Sequence, residues 1–352
     1  MQTALNNLEA KLLEVIQDGI PLCERPFAQI GEQVGLTERE VLERLIELKR
    51  PPRPFIRQVS AIFDSASLGY KSTLVAAKVE PSQLEQAAAI VGQHPGVSHN
   101  YERANAYNLW YTLAVPPDSR LGLQGTVDLL HQLSGAAATR MLPTLKLFKI
   151  GVKFNLGGGD ESQTDAKPRG AKLPLAGRAI TDADKRIIRT LQQDLPLVAA
   201  PFEIWANQAG VTVEALLASA QAYQDIGWMR RFSAVLHHRE AGFTANAMGV
   251  WAVPADQQDA FGVAAAGFQA VSHCYLRPSY PDWPFNIFTM VHATSPAACE
   301  AVLAEISAAT GITNYQSLYS TRKFKKTRVQ YFLDDNAAWE ASHEPSIAIS
   351  TR

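Results

Sequence analysis

The feature that most constrains this chain is that it contains itself twice. FAQIGEQVGLTEREVL, from Phe27 to Leu42, returns 175 residues later as FEIWANQAGVTVEALL, from Phe202 to Leu217. IRQVSAIFDSASLGY, from Ile56 to Tyr70, returns at an offset of 173 as MRRFSAVLHHREAGF, from Met229 to Phe243. A third pattern, S-H-x-Y-x-R, places His99, Tyr101 and Arg103 in one copy and His273, Tyr275 and Arg277 in the other, 174 residues apart. Offsets that agree within a residue or two mark one folding unit copied whole with small loop changes. Two like units in one chain are then expected to pack as a pseudo-two-fold pair.

Each unit reads as helices followed by strands. Leu5, Leu8, Leu12, Val15 and Ile16 recur at helical spacing until Asp18-Gly19. A short helix over Phe27 to Gln33 stops at Gly35, and Thr37 with Glu40 forms a capping box ahead of the apolar stripe Val41, Leu42, Leu45, Ile46 and Leu48. This is a helix-turn-helix. Pro51, Pro52 and Pro54 end it and launch an extended segment from Arg57 to Phe63. Then come a strand at Lys71 to Val79, a helix at Pro81 to Val91, the His99 strand, a strand at Tyr107 to Val115, a helix at Leu121 to Leu133 and a last strand within Leu145 to Phe154. That order, βαββαβ, is the ferredoxin-like plait.

The fold class expected is α+β, a tandem duplication of a helix-turn-helix domain followed by a ferredoxin-like plait, packed as an intrachain pseudo-dimer. The boundaries are 1–55 and 56–156 for the first pair of domains, 157–179 for a Gly-, Pro- and charge-rich flexible linker, 180–228 and 229–333 for the second pair, and 334–352 for a polar tail.

Composition removes several functions. The formal net charge is only −1, so no global field draws the chain to nucleic acid or membrane. The helix that would read DNA in the first copy, Thr37 to Lys49, sets Glu38, Glu40, Glu43 and Glu47 against Arg39, Arg44 and Lys49, and its counterpart, Thr212 to Gln224, has no basic residue. DNA affinity rests on cations neutralising phosphates, so specific DNA binding is not expected. Cys23, Cys274 and Cys299 share no C-x-x-C spacing, which argues against a disulfide framework or thiolate zinc site. No signal-peptide pattern and no run approaching the roughly 20 apolar residues of a membrane span is present, so a cytoplasmic protein without membrane contact is expected.

The chemistry concentrates in the repeated triplet. On a strand, alternate side chains share a face, so His99, Tyr101 and Arg103 line up, as do His273, Tyr275 and Arg277. A proton carrier, a polar aromatic and a fixed cation suit an anionic, partly flat ligand. The copies are unequal. The second gains four residues in PSYPDWP, carrying Tyr280, Asp282 and Trp283, and places His237 and His238 where the first has Asp64 and Ser65. Adjacent residues of an extended segment point opposite ways, so at most one of that histidine pair faces a given site. His94, His131 and His343 receive no role, and His292, near a strand end, stays unassigned.

A helix-turn-helix followed by a plait resembles the leucine-responsive regulator (Lrp/AsnC-like) family. The strings AIFDSASLGYKSTL, SHNYERANAYNLWYTLA, AVLHHREAGFTANAMGVW and SHCYLRPSYPDWPFNIFTMVHA are similar, more narrowly, to the siroheme decarboxylases, whose two subunit types resemble the two halves in turn. The resemblance implies removal of the carboxyl groups from the C12 and C18 acetates of siroheme, for haem d1 or the alternative haem route. It implies siroheme as partner, with other haem d1 biosynthesis proteins and further homo-oligomerisation left open. No cofactor is implied, because the iron arrives with the substrate. A macrocycle bearing eight carboxylates needs flat walls and several cationic forks. On that basis His238 and His273 are the catalytic candidates. His99, Tyr101, Arg103, Arg57, Arg230, Arg231, Arg239, Tyr275, Arg277 and Trp283 are the substrate-binding candidates. The protein alone forms no metal site, and an axial contact to the substrate iron by His99 or His273 stands beside acid catalysis. A ligand-responsive DNA-binding regulator and a non-catalytic tetrapyrrole carrier or sensor are the alternatives.

Overall fold

The computed structural model describes residues 6–52, 54–150, 178–236 and 245–343. The first half opens with three helices, α1 (Asn7–Asp18), α2 (Pro26–Val34) and α3 (Glu38–Lys49). The Thr37–Glu40 capping box forms, and Gly35 ends α2 at φ 79°, a left-handed conformation that favours glycine. There follow β1 (Ile56–Phe63), β2 (Lys71–Lys78), α4 (Leu84–Gln93), β3 (Val97–Arg103), β4 (Leu109–Val115), α5 (Gly122–Ser134), β5 (Ala138–Leu142) and β6 (Lys146–Ile150).

The second half repeats the series with α6 (Asp182–Leu191), α7 (Pro201–Ala209), α8 (Val213–Asp225), β7 (Met229–Leu236), β8 (Ala245–Trp251), α9 (Gln258–Gly267), β9 (Val271–Leu276), β10 (Ile287–Ala293), α10 (Pro296–Thr310), β11 (Tyr315–Leu318) and β12 (Ser320–Lys326). A last helix, α11 (Asp335–Ser342), lies within the expected polar tail; its Trp339 packs into the first half's core, and its Glu340 accepts from the Arg120 amide at 3.1 Å.

The strand expected to close the first plait, within Leu145 to Phe154, does not do so. That place belongs to β5, which pairs with β2. β6 instead crosses to the second half and pairs antiparallel with β9, while β12 crosses back and pairs with β3. The sheets therefore run β12-β3-β4-β2-β5 and β11-β8-β10-β9-β6, each a four-stranded plait extended by a strand from the other half. Alternation in Leu145-Lys146-Leu147 marks a strand, but says nothing about whose edge it joins. Crossing also covers the edge that β3 and β9 would otherwise leave open.

A two-stranded ribbon, β1 against β7, ties the halves a third time. Four cores result. One joins both helix-turn-helix units across the ribbon through Phe27, Leu45, Val59, Phe202, Trp205 and Phe232. Two lie between each sheet and its own helices. The fourth lies between the helix-free faces of the two sheets, with Trp110, Leu142, Trp283, Phe285, Phe288 and Leu318. Each large side chain buried there contributes roughly 2–3 kcal/mol relative to exposure, so the halves form one body rather than two tethered ones.

Candidate active site

The repeated triplets lie on the two sheet faces that meet. In β3, Asn100 turns to the helices and donates to the Ala88 carbonyl at 2.8 Å, which leaves His99, Tyr101 and Arg103 on the opposite face. His99 and Tyr101 stack with ring centroids 6.1 Å apart and 29° between planes; His273 and Tyr275 do the same at 6.0 Å and 23°. The two arginines continue each ladder inward. Arg103 donates to the Leu318 carbonyl at 2.8 Å, and Arg277 donates to the Leu142 carbonyl. Those acceptors are the last residues of β11 and β5, so each arginine caps the fourth strand of the other half.

Burial lowers both guanidinium pKa values to about 10, which leaves them charged at neutral pH. Arg277 lies 4.8 Å over the Tyr275 ring and 5.4 Å over Phe288, and Arg103 lies 5.9 Å over Trp110. Each Nε is buried without a partner. These arginines hold the halves together.

A β-bulge sits at the same place in both copies. Met290 pairs with His273 but Val291 with Val271, so Ser272 is the extra residue; Thr112 pairs with His99 but Leu113 with Val97, so Ser98 is its counterpart. The bulge brings serine and histidine, which strict alternation would separate, within hydrogen-bonding distance. Ser98 Oγ is 3.0 Å from His99 Nδ1, and Ser272 Oγ is 2.7 Å from His273 Nδ1. Beyond the serines the copies differ. Ser98 meets the Thr112 hydroxyl at 2.8 Å, whereas Ser272 meets His292 Nε2 at 2.8 Å. His292 thus belongs to the site. In the sequence His292 carries no motif, and its only signal is the contrast with Ala114, its counterpart in the first copy.

Desolvation lowers the pKa of His99, with Lys326 and Arg57 adding to the effect. It holds His273 down at about 4, with His292 adding. Both rings are therefore neutral at pH 7 in the ligand-free protein.

The exchanged strands furnish the two ladders differently. β12 sets Lys323 opposite Tyr101 and Lys326 opposite His99, both exposed. β6 sets Leu147 opposite Tyr275 and Ile150 opposite His273, and these apolar side chains are 47% and 49% exposed. Arg57 and Arg231 are exposed on the ribbon, and both act electrostatically on Arg328, which donates to Ser60 Oγ at 3.2 Å. Lys323, Lys326 and Arg328 were not singled out from the sequence, since nothing in it shows that β12 lies beside β3.

The remaining candidates fall elsewhere. Arg230 is paired with Asp64, Nε to Oδ2 3.0 Å, and its charge reaches Tyr275. Trp283 is 2% exposed and packs edge-on against Trp110 and Tyr107, at 5.3 and 5.5 Å, inside the core between the sheets. The inserted loop that carries it clamps the first half. Asp282 accepts from Arg140 Nε at 2.9 Å and from the Tyr107 hydroxyl at 2.7 Å, and these bonds hold its carboxyl down at about 2. His238 and Arg239 lie outside the described residues.

A helix-turn-helix and plait, duplicated and packed sheet against sheet, define a double module with one ladder in each half. Residues 67–149 and 240–325 match the AsnC-like ligand binding domain, and residues 9–51 and 184–230 match the siroheme decarboxylase NirDL-like HTH domain. The siroheme decarboxylase of Hydrogenobacter thermophilus is 38% identical over 329 residues, 94% of this chain and 96% of that protein. The beta subunit of the Methanosarcina barkeri siroheme decarboxylase is 44% identical over 147 residues, 42% of this chain and 97% of the subunit. A crystal structure of a siroheme decarboxylase NirDL in co-complex with an iron-uroporphyrin III analogue superposes with a TM-score of 0.78 at 32% identity, covering 97% of this chain and 100% of that one. The chain belongs to the siroheme decarboxylase family.

Proposed function

We propose that this protein is a carboxy-lyase that removes the carboxyl groups of the C12 and C18 acetates of siroheme, giving 12,18-didecarboxysiroheme for haem d1 biosynthesis. The observation that carries the reading is the repeated His–Tyr–Arg ladder on the helix-free face of each sheet, with Arg57, Lys323, Lys326, Arg231 and Arg328 around the first. Cations at the rim suit the carboxylates of the substrate, and stacked His–Tyr pairs beside Leu147 and Ile150 suit its flat face. When carbon dioxide leaves an acetate, the electron pair stays on the ring-attached methylene carbon and spreads into the macrocycle; one proton then converts that carbon to a methyl group. A histidine is the suited proton donor. His273 takes that part, and His99, which has the cations beside it, takes substrate binding and the axial contact to the substrate iron. The chemistry needs no cofactor beyond the iron that the substrate brings.

Specific DNA binding is no part of this function. On α3, Arg39 pairs with Glu43 at 3.4 Å and Lys49 with Asp194, and the four glutamates of the helix outnumber its three cations. Among the described residues no helix is long and apolar enough to cross a membrane. The test is anaerobic incubation with siroheme followed by mass analysis of the tetrapyrrole. Successive loss of two carbon dioxide equivalents is expected; siroheme that binds and keeps its mass would make the protein a carrier.

A further inference from the structure

His273 raises a difficulty as a proton donor. A ring held neutral down to about pH 4 is cationic in only about one molecule in a thousand at pH 7. A neutral imidazole that simply gave up its N–H would become an imidazolate, which is far too basic to form there. The ring therefore needs a proton to arrive at one nitrogen as another leaves from the second.

The second half has the parts for this. His273 Nδ1 and His292 Nε2 stand 2.7 and 2.8 Å from the same atom, Ser272 Oγ. The hydroxyl's other neighbour, the Met290 carbonyl, is more distant at 3.3 Å. Two strands and a bulge make the arrangement. His273 is opposite Met290, His292 lies two residues further along β10 on the same face, and the extra residue Ser272 is turned between them. In the first half the chain of hydrogen bonds ends on Thr112, whose hydroxyl does not titrate near neutrality, and Ala114 stands where His292 would be.

We propose that His292 is a relay residue that reprotonates the substrate through Ser272 and His273, and that only the second half can do so. This rests on the decarboxylase reading above. In the step, protonated His292 passes its Nε2 proton to Ser272 Oγ, and the serine's own proton moves to His273 Nδ1. The Nε2 proton of His273 then goes to the carbon that has lost carbon dioxide. One C–H bond forms, His292 goes from cation to neutral, the carbanion is discharged, and His273 changes tautomer without ever carrying charge. To reset the chain, a solvent proton enters at His273 Nε2 while its Nδ1 proton returns through Ser272 to His292 Nε2, and no oxidant or reductant is involved.

Among the described residues, β6, β8, β9 and the ribbon supply the side chains around the pair. β6 brings apolar Ile150 opposite His273, and its Lys149 turns to the other face, donating to the Phe268 carbonyl at 2.9 Å. β8 places Asn246 opposite His292. On β9 the neighbours are Tyr275, stacked on His273, with Arg277 beyond it; from the ribbon, Arg230 acts on Tyr275. Cys274 points to the helices, toward the Gly262 carbonyl.

The test uses the full chain with siroheme prebound under anaerobic conditions, comparing His292→Gln, Ser272→Ala, Ser272→Thr and His273→Ala by single-turnover mass analysis across pH 5.5–8.5. Glutamine can keep a hydrogen bond to Ser272 but cannot titrate. Expected are wild-type siroheme affinity by absorbance, a rate about a hundredfold lower in His292→Gln and Ser272→Ala, and loss of the titration that limits the wild-type rate. Ser272→Thr, which keeps the hydroxyl, should recover most of the rate. A wild-type rate and pH profile in His292→Gln, with turnover abolished in His273→Ala, would overturn the relay and leave the decarboxylase reading intact. A loss confined to affinity in His292→Gln would also overturn it. If siroheme is not decarboxylated by the unaltered chain, the reading beneath the relay fails instead.

Discussion

The two ladders share a histidine, a tyrosine, an arginine and a bulged serine at matched positions, and yet they are not equivalent. The first has lysines beside it, donated by β12, and its serine leans on a threonine. The second has leucine and isoleucine beside it, donated by β6, and its serine leans on a second histidine. Much else stayed constant. Asn108 and Asn286 both hold the end of the first plait strand by donating to, and accepting from, the backbone of Val79 and Val253. Scaffold contacts were thus kept in both copies while contacts around the ladders diverged. The difference teaches that duplication here supplied two copies of one surface, of which one acquired cations beside it and the other apolar side chains and a second histidine.

The sharpest way to break this comparison is to remove the histidines one at a time. His273→Ala should slow single-turnover decarboxylation by about a hundred- to ten-thousandfold with binding nearly unchanged. His99→Ala should chiefly weaken binding and alter the absorbance of the bound iron tetrapyrrole. If His99→Ala abolishes turnover while His273→Ala stays near wild type, the two surfaces have been assigned the wrong way round.

Smaller effects are expected at the donated strands. Lys326→Ala and Arg57→Ala each remove a charge-assisted contact and should weaken siroheme binding about tenfold, an effect that added salt should mimic. Leu147→Ala removes part of an apolar wall and should cost only a few-fold, with little salt dependence. Absorbance titrations at two ionic strengths decide it; equal salt dependence at Leu147 and Lys326 would erase the distinction between a charged and an apolar side.

The smallest effect is on stability. Burial holds His273 at about 4 and His94, in the first half's core, at about 3, whereas an unfolded chain protonates both near 6.5. The unfolded state therefore binds more protons below pH 6.5, and stability should fall as pH drops from about 6.5 toward 4. Between pH 7 and 6 each histidine accounts for about 1 kcal/mol or less. Urea denaturation at the two pH values should show the loss, and His94→Gln and His273→Gln should each flatten it; an unchanged slope in both would place the acid sensitivity elsewhere.

Sequence alone determined the repeat, the order of elements in each unit up to the strand that closes the plait, the capping boxes and the shared face of each triplet. Those features depend on short-range periodicity and on residues a few positions apart, which a chain displays without folding. What depends on a neighbour distant in sequence was not legible in this way. Trp283, in a conspicuous insertion, looked like a binding residue, but its loop closes over the first half through Asp282, Arg140 and Tyr107. Lys326 and Leu147 carry no motif, and come to lie beside the ladders only because β12 and β6 change partners. His292 acquired meaning from a bulge one strand away, where a single extra residue turns Ser272 toward it. Strand exchange and bulges redirect side chains through hydrogen bonds between segments far apart in the chain, and alternation along one strand carries no information about them.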